Sequence, residues 1–424
     1  MRHIFLSVSA VALVVGLLQL SPLGVNTETQ AQEGESAEAM PAPSPGASAL
    51  TTTWGEPNLQ GMWVHDAETP LARPDWVEGR ETFTDEEMAA IDDQRARWLD
   101  HDYRAERGTP GDVAGAYNAV YHLQKPTGRP TSLIIDPPDG KMPAYTSQYM
   151  ERQAAWGEYR LKLMQATDAC KDGERGCNGG EYGAPHPEYG DPAPFYPLGA
   201  VNRAYDPEDR GRSERCFGGY LPAGGEGTTF SSGQNGFTRR IVQTPGGISM
   251  FYDTGQGQSW QRPTIVMDGR PHLPPHIRGW WGDSRGHWEG DTLVIDVTNF
   301  TPRTSMFGAN ENLHMIEKFR RSGPQTLEYT VTLEDSTTWT EPWTVKVEYT
   351  RLADYPNRIY TDNRCHEGNY GLPALLRGAR MEDKAFAEGT GPNPASICTS
   401  GCSEKAGAEE DADQTGNRFR NPFE

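Results

Sequence analysis

The sequence is short of positive charge. Its 39 lysines and arginines face 59 aspartates and glutamates, for a formal net charge of −20. A chain this acidic repels phosphate backbones and anionic lipid surfaces, which argues against nucleic-acid and membrane-surface partners. It has no glycine-rich phosphate-binding loop, so no nucleotide cofactor is expected. It has no Cys-x-x-Cys knuckle, which weakens a structural zinc site. After Leu20 no apolar run is long enough to span a bilayer. No repeat of constant period is visible either, which makes a propeller the weaker choice among all-β folds.

What is present begins with an export pattern. Arg2 and His3 precede an apolar stretch, Ile4 to Leu20, interrupted only by Ser7, Ser9, Gly16 and Gln19. Thr29 and Ala31 then put small residues where a signal peptidase reads them. Residues 1–31 are expected to be a cleaved signal peptide. The alternative is an uncleaved anchor, for which the stretch is short, since a span needs roughly 20 apolar residues. No cysteine follows at once, so no lipid anchor is expected. The product should be periplasmic or secreted, with no membrane attachment after cleavage.

Residues 32–52 are mostly Ala, Ser, Pro, Glu and Gly and read as a disordered linker. Residues 403–424 read as an acidic tail, carrying Glu404, Glu409, Glu410, Asp411 and Asp413. The six cysteines suit a disulfide framework in an exported chain. Cys170 with Cys177 and Cys398 with Cys402 look like local staples, which would leave Cys216 and Cys365 as a long-range pair. The spacing does not fix this connectivity.

The first half of the folded region holds two helices in irregular sequence. Thr84-Asp85-Glu86-Glu87 forms a capping box, followed by Met88, Ile91, Trp98 and Leu99 at helical spacing. A second helix is expected from Ser147 to Thr167, with Met150, Ala154, Leu161 and Met164 on one face. The second half alternates with period 2, the mark of half-buried strands. Leu327, Tyr329, Val331 and Leu333 alternate with polar residues, as do Val345, Val347 and Tyr349, and less cleanly Leu293, Ile295 and Val297. Arg239 to Gln243, Gly247 to Asp253, Thr264 to Asp268 and Leu313 to Arg321 add four more strands.

Short turns between these strands favour antiparallel neighbours. So many sequential strands need closure or a second layer to hide their edges. The fold expected is mainly β with a helical N-terminal part. An antiparallel up-and-down, lipocalin-like barrel is the first choice and a two-sheet sandwich the second. Residues 53–229 form a helix- and loop-rich region packing on the barrel, and residues 230–372 form the barrel. Residues 373–402 form a helix and a disulfide-stapled segment.

Four pieces of sequence stand out: Asp268-Gly269-Arg270-Pro271-His272, Gly282-Asp283-Ser284-Arg285-Gly286, Trp288-Glu289-Gly290-Asp291-Thr292-Leu293-Val294 and Cys365-His366-Glu367-Gly368-Asn369-Tyr370. In these the chain resembles a widespread family of uncharacterised secreted bacterial proteins. The likeness runs from Asn58 to about Lys384, and it implies export without implying an activity.

Ser284 sits in a literal Gly-x-Ser-x-Gly, the pattern of a nucleophile elbow. That pattern has meaning only between a buried parallel strand and a helix. Here it reads as a solvated loop in which Asp283 pairs with Arg285. His272 and His276 have the spacing of two ligands on a helix, but Pro274 and Pro275 exclude a helix there. A scattered metal site on His272, His287, His314 or His366 stays open. Glu317 is the sharper anomaly, because it interrupts an apolar strand face. Buried there, it must pair with a cation such as Arg285 or Arg278, or take up a proton.

His366 and Glu367, next to Cys365, would be held rigidly by a disulfide. The catalytic candidates are therefore His366, Glu367, Glu317, Arg285 and Asp283. Trp280, Trp281, Trp288, His272 and Tyr370 are the candidate ligand contacts, since aromatic faces stack on sugars and flat apolar molecules. Three functions compete. The barrel holds a small apolar, aromatic or glycan-derived ligand, or the same cavity performs acid–base chemistry, or the protein is an envelope scaffold. No cofactor is expected, and any activity would be cofactor-independent or metal-assisted.

Overall fold

The computed structural model describes residues 50–77, 79–98, 125–164, 207, 215, 238–253, 259–302, 304, 306–352, 370–391 and 421–423. The chain divides into two units, Met1–Gly46 and Ala47–Glu424, and every described residue belongs to the second. Residues 1–49 and all six cysteines lie outside the described residues, as do His366 and Glu367.

Eleven strands form the sheet: β1 (Gly61–Val64), β2 (Ile134–Asp136), β3 (Thr238–Thr244), β4 (Gly247–Asp253), β5 (Ser259–Gln261), β6 (Ile265–Val266), β7 (Asp283–Glu289), β8 (Thr292–Thr298), β9 (His314–Arg321), β10 (Thr326–Glu334) and β11 (Trp343–Arg351). Neighbours run β1-β3-β4-β6-β7-β8-β9-β10-β11, and β11 returns to β1 through Trp63 opposite Arg351 and Val64 opposite Thr350. The result is a closed nine-stranded barrel. Closure satisfies the backbone groups that an open edge would leave bare. β2 lies beside β11 and β5 beside β4, off this ring.

Alternation builds the wall as the sequence predicts. Leu327, Tyr329, Val331 and Leu333 of β10 are buried, and so are Trp343, Val345, Val347 and Tyr349 of β11. With Trp63, Ile241, Met250, Leu293, Ile295, Val297, Met315 and Phe319 they make one hydrophobic core inside the barrel. Tight hairpins set the register. Glu289 pairs with Thr292 across Gly290 and Asp291, where Gly290 adopts φ 62°, a conformation open to glycine without strain. Gly282, at the entry to β7, has φ 66°, and a Cβ there would stand 2.5 Å from the Thr298 carbonyl oxygen.

Three features depart from the sequence reading. The sheet is mixed, because β6 and β7 meet in parallel at Val266 opposite Arg285. β1 and β2 come from the region expected to pack on the barrel, and β1 closes it. Residues 283–289 form a strand rather than a solvated loop.

Three α-helices are described: α1 (Asp85–Trp98), α2 (Ser147–Met164) and α3 (Gly371–Ala387). The capping box at α1 is present. Glu87 N donates to Thr84 Oγ1 at 3.2 Å, and Thr84 N donates to Glu87 Oε2 at 2.8 Å. Ile91 packs with Val77 and Phe83 in a small satellite core. Of the apolar face expected on α2, the first two residues are exposed, while the side chains of Leu161 and Met164 lie outside the described residues. Met150 is 55% exposed and Ala154 is exposed. The helix is held instead by Tyr149, whose ring lies against Gly308, and by Arg152 donating to the Gly308 carbonyl at 3.0 Å.

Candidate functional site

A line of polar side chains crosses the barrel interior. On β9, Met315, Glu317 and Phe319 are buried while Lys318 faces solvent, so the alternation carries Glu317 inward. Glu317 is fully buried, and so is its partner Arg262, whose Nη1 lies 2.7 Å from Oε2. Tyr329 of β10 donates its hydroxyl to the other carboxylate oxygen at 3.0 Å. Arg262 Nη2 donates to Ser284 Oγ at 2.8 Å. These contacts compensate the desolvation that a buried ion pair suffers.

Arg239, on β3, faces the same space. Its guanidinium carbon lies 4.4 Å from the centre of the Tyr349 ring, 5.1 Å from Tyr329 and 5.4 Å from Tyr252. Ring faces attract a cation. Burial works against the charge on Arg239, but the tyrosines and Glu317 outweigh it, so its pKa rises and it stays charged. Burial also pushes the hydroxyls of Tyr252, Tyr329 and Tyr349 above their ordinary value, which keeps them protonated. Among the described residues no carboxylate forms an ion pair with Arg239, and neither its Nη1 nor Tyr349 Oη has a hydrogen-bond partner.

His65, just after β1, ends the line. Its ring meets Tyr349 edge-on at 6.2 Å, and its Nδ1 is buried without a partner. Burial, aided by the charge on Lys125, lowers its pKa to about 4, so the ring is neutral at pH 7. Lys125 donates to the His65 carbonyl at 2.6 Å. Burial brings the Lys125 pKa down to about 8 against the opposing pull of Glu68 and Asp66. Towards the other side, half-buried Trp281 stacks on Tyr252 at 5.5 Å.

A second polar group lies on the outer face of β7 to β10. Ser284 and Gly286 face inward, so Asp283 and Arg285 face outward, where they form the expected ion pair at 2.8 Å. Asp283 Oδ2 also lies 2.8 Å from His272 Nδ1. Asp296 Oδ1 is shared by His272 Nε2 at 3.2 Å and His314 Nε2 at 3.0 Å. The bond to Asp296 raises the pKa of His314, and the same bond lowers that of Asp296.

The wall thus divides the candidates. Glu317 is inside, while Asp283, Arg285 and His272 are outside, so they form no common site. Glu317 pairs with neither cation expected of it: Arg285 belongs to the outer group, and Arg278 donates to the Phe300 and Glu311 carbonyls. Ser284 is buried on a strand and accepts from Arg262, which is no nucleophile elbow. Trp281 and Trp288 pack against the core, and Trp280 is half-buried. Tyr370 is 81% exposed at the start of α3, away from any interior contact. Among the described residues no group of three or more His, Cys, Asp or Glu side chains is placed to hold a metal ion.

Sequence reasoning missed Arg239, Arg262, Tyr252, Tyr329, Tyr349 and His65 as site residues. Arg239 gave the same signal as Glu317, a charge at an inward strand position. Its neighbour Arg240 carries the same charge on the other face and hides the asymmetry. Arg262 stands in an aperiodic segment, where no pattern could mark it.

No family model matches the chain, and no curated protein matches it. Among solved structures it is similar to a secretary abundant heat soluble (SAHS) protein from Ramazzottius varieornatus. The two share 11% identity at a TM-score of 0.20, over 28% of this chain and 74% of that one. A likeness at that score carries no argument about function.

Proposed function

We propose that the barrel interior binds one small molecule with an aromatic or apolar body and a polar end, and holds it without turnover. The observation that carries this reading is a set of buried polar atoms without hydrogen-bond partners among the described residues, on side chains that touch one another: Arg239 Nη1, Tyr349 Oη and His65 Nδ1. Each such atom costs roughly 1–3 kcal/mol when left unsatisfied. Three of them on adjoining side chains suit a site that a ligand completes. The stacked Trp281 and Tyr252 rings offer a flat face for the ligand body.

Binding is favoured over acid–base chemistry by the state of the ionisable groups. The charge of Glu317 is committed to Arg262 at 2.7 Å, and its Oε1 accepts from Tyr329. His65, with a pKa of about 4, is a weak base at neutral pH. The proposal includes the exported location expected from residues 1–31.

Titration of the full-length protein with 2-naphthol, 2-naphthamide and 2-naphthoate tests it, followed by tryptophan fluorescence and calorimetry. At least one should bind saturably, one molecule per chain, and Trp281→Ala should weaken that binding about tenfold. If none of the three binds saturably, the reading is wrong.

A further inference from the structure

Among the described residues, the three charges clustered inside the barrel, Arg262, Glu317 and Arg239, do not cancel. Arg262 and Glu317 neutralise one another at 2.7 Å, and both are fully buried. Arg239 has no such partner. It is 4% exposed, and it sits among three tyrosine rings. The charge of Glu317 is already paired with Arg262, and its Oε1 accepts from Tyr329.

Ring faces steady the cation, but they leave its in-plane donors unmet. A guanidinium has five N–H donors and is built to meet two oxygens side by side. Among the described residues Nη1 of Arg239 has no acceptor, and the hydroxyl of Tyr349, whose ring faces it, has none either. Tyr349 is protonated and therefore a donor. The two side chains meet because their strands flank β1: Arg239 and Arg351 both stand opposite Trp63, and Tyr349 is two residues before Arg351.

We infer that the ligand is an organic anion, a carboxylate on an aromatic or apolar body, whose oxygens accept from Arg239 and Tyr349. Such a group would supply the missing negative charge inside the barrel and the missing acceptors at once. Neutral His65 at the edge of Tyr349 adds no competing cation. The inference rests on the proposed binding role and names the chemistry of its ligand.

The test compares 2-naphthoate with its neutral isostere 2-naphthamide on the full chain at pH 7, by calorimetry. The acid should bind at least about tenfold more tightly than the amide. Arg239→Met should lower acid affinity about a hundredfold and amide affinity by about tenfold at most, so that the acid loses its advantage. Equal binding of acid and amide, unaltered by Arg239→Met, would overturn the anion inference and leave the binding role standing. Failure of both ligands to bind would overturn the two together.

Where Arg239→Met yields no folded protein, Tyr349→Phe decides. It removes one unpartnered hydroxyl and should narrow the acid-to-amide ratio about tenfold. An unchanged ratio overturns the inference.

Discussion

Replacing Glu317 by Gln should destabilise the protein more than replacing its partner Arg262 by Met. The reason is the count of charges inside the barrel. Arg262, Arg239 and Glu317 are all buried there, and these three alone carry a net charge of one positive. Arg262→Met leaves Arg239 and Glu317, which balance, although they are not in ion-pair contact. Glu317→Gln leaves two buried cations with no anion. At 2.7 Å, Coulomb's law with an effective dielectric of about 20 gives a gross attraction of about 6 kcal/mol for the Arg262 pair. Desolvation of both ions offsets much of that. Removing one partner of a buried pair typically costs about 3–5 kcal/mol.

We therefore expect about 4–5 kcal/mol for Glu317→Gln and about 2–3 kcal/mol for Arg262→Met, where Arg239 relieves part of the stranded charge. The double variant Arg262→Met/Glu317→Gln keeps an acceptor for Tyr329 and leaves Arg239 as the one charge of the three. Its cost should fall clearly below the sum of the two singles, as groups in direct contact do not add. Urea unfolding at pH 7, read by the fluorescence of buried Trp339 and Trp343, measures all three. A 4 kcal/mol loss shifts the midpoint by about 1–2 M. The reasoning fails if Arg262→Met proves the more damaging, or if the double variant costs the sum of its parts.

Three further outcomes follow from the same geometry. His65 has its pKa lowered from 6.5 to about 4 by burial. The unfolded chain therefore takes up that proton first, and stability is complete above pH 6.5 and lost as pH falls towards 4. The loss is about 3 kcal/mol for this group, and His65→Gln should flatten a denaturation profile across that window. Tyr349→Phe should raise the stability of the ligand-free protein by about 1 kcal/mol, because it removes a buried hydroxyl with no partner. Thermal unfolding would show it, and destabilisation of that size would mean the hydroxyl is satisfied in solution. On the outer face, Asp296 raises the pKa of His314 above 6.5, which adds stability present below pH 6.5 and lost as pH climbs through the raised value. NMR titration of Asp296→Asn should show His314 moving back down, and an unmoved value would remove Asp296 as the cause.

Much of the wall was legible in the sequence because strand alternation is local. Leu327, Tyr329, Val331 and Leu333 declare an inward face without reference to any other strand. Glu317 was legible for the same reason, as a charge on an otherwise apolar face. The capping box at Thr84 and Glu87 was read directly, since its two bonds join residues three apart. The misreadings have one cause. Asp283 to Glu289 looks like a loop because Ser284 and Gly286 are small, and small residues inside a barrel give no hydrophobic signal. Met150 and Ala154 look like a buried stripe, but Tyr149 and Arg152, one helical step round, found the partner at Gly308.

The sequence by itself determined which residues line the inner face of each long strand, and that a carboxylate at position 317 must find a cation. Only the tertiary structure decided which one. Arg262 lies far along the chain, after a strand of three residues, and reaches Glu317 because the sheet closes. Arg239 is unneutralised for the same reason, since β1 brings β3 and β11 together and puts Tyr349 beside it. Period 2 is set by backbone geometry within one strand and can be read from one strand. Charge balance in a barrel depends on what every other strand brings inside.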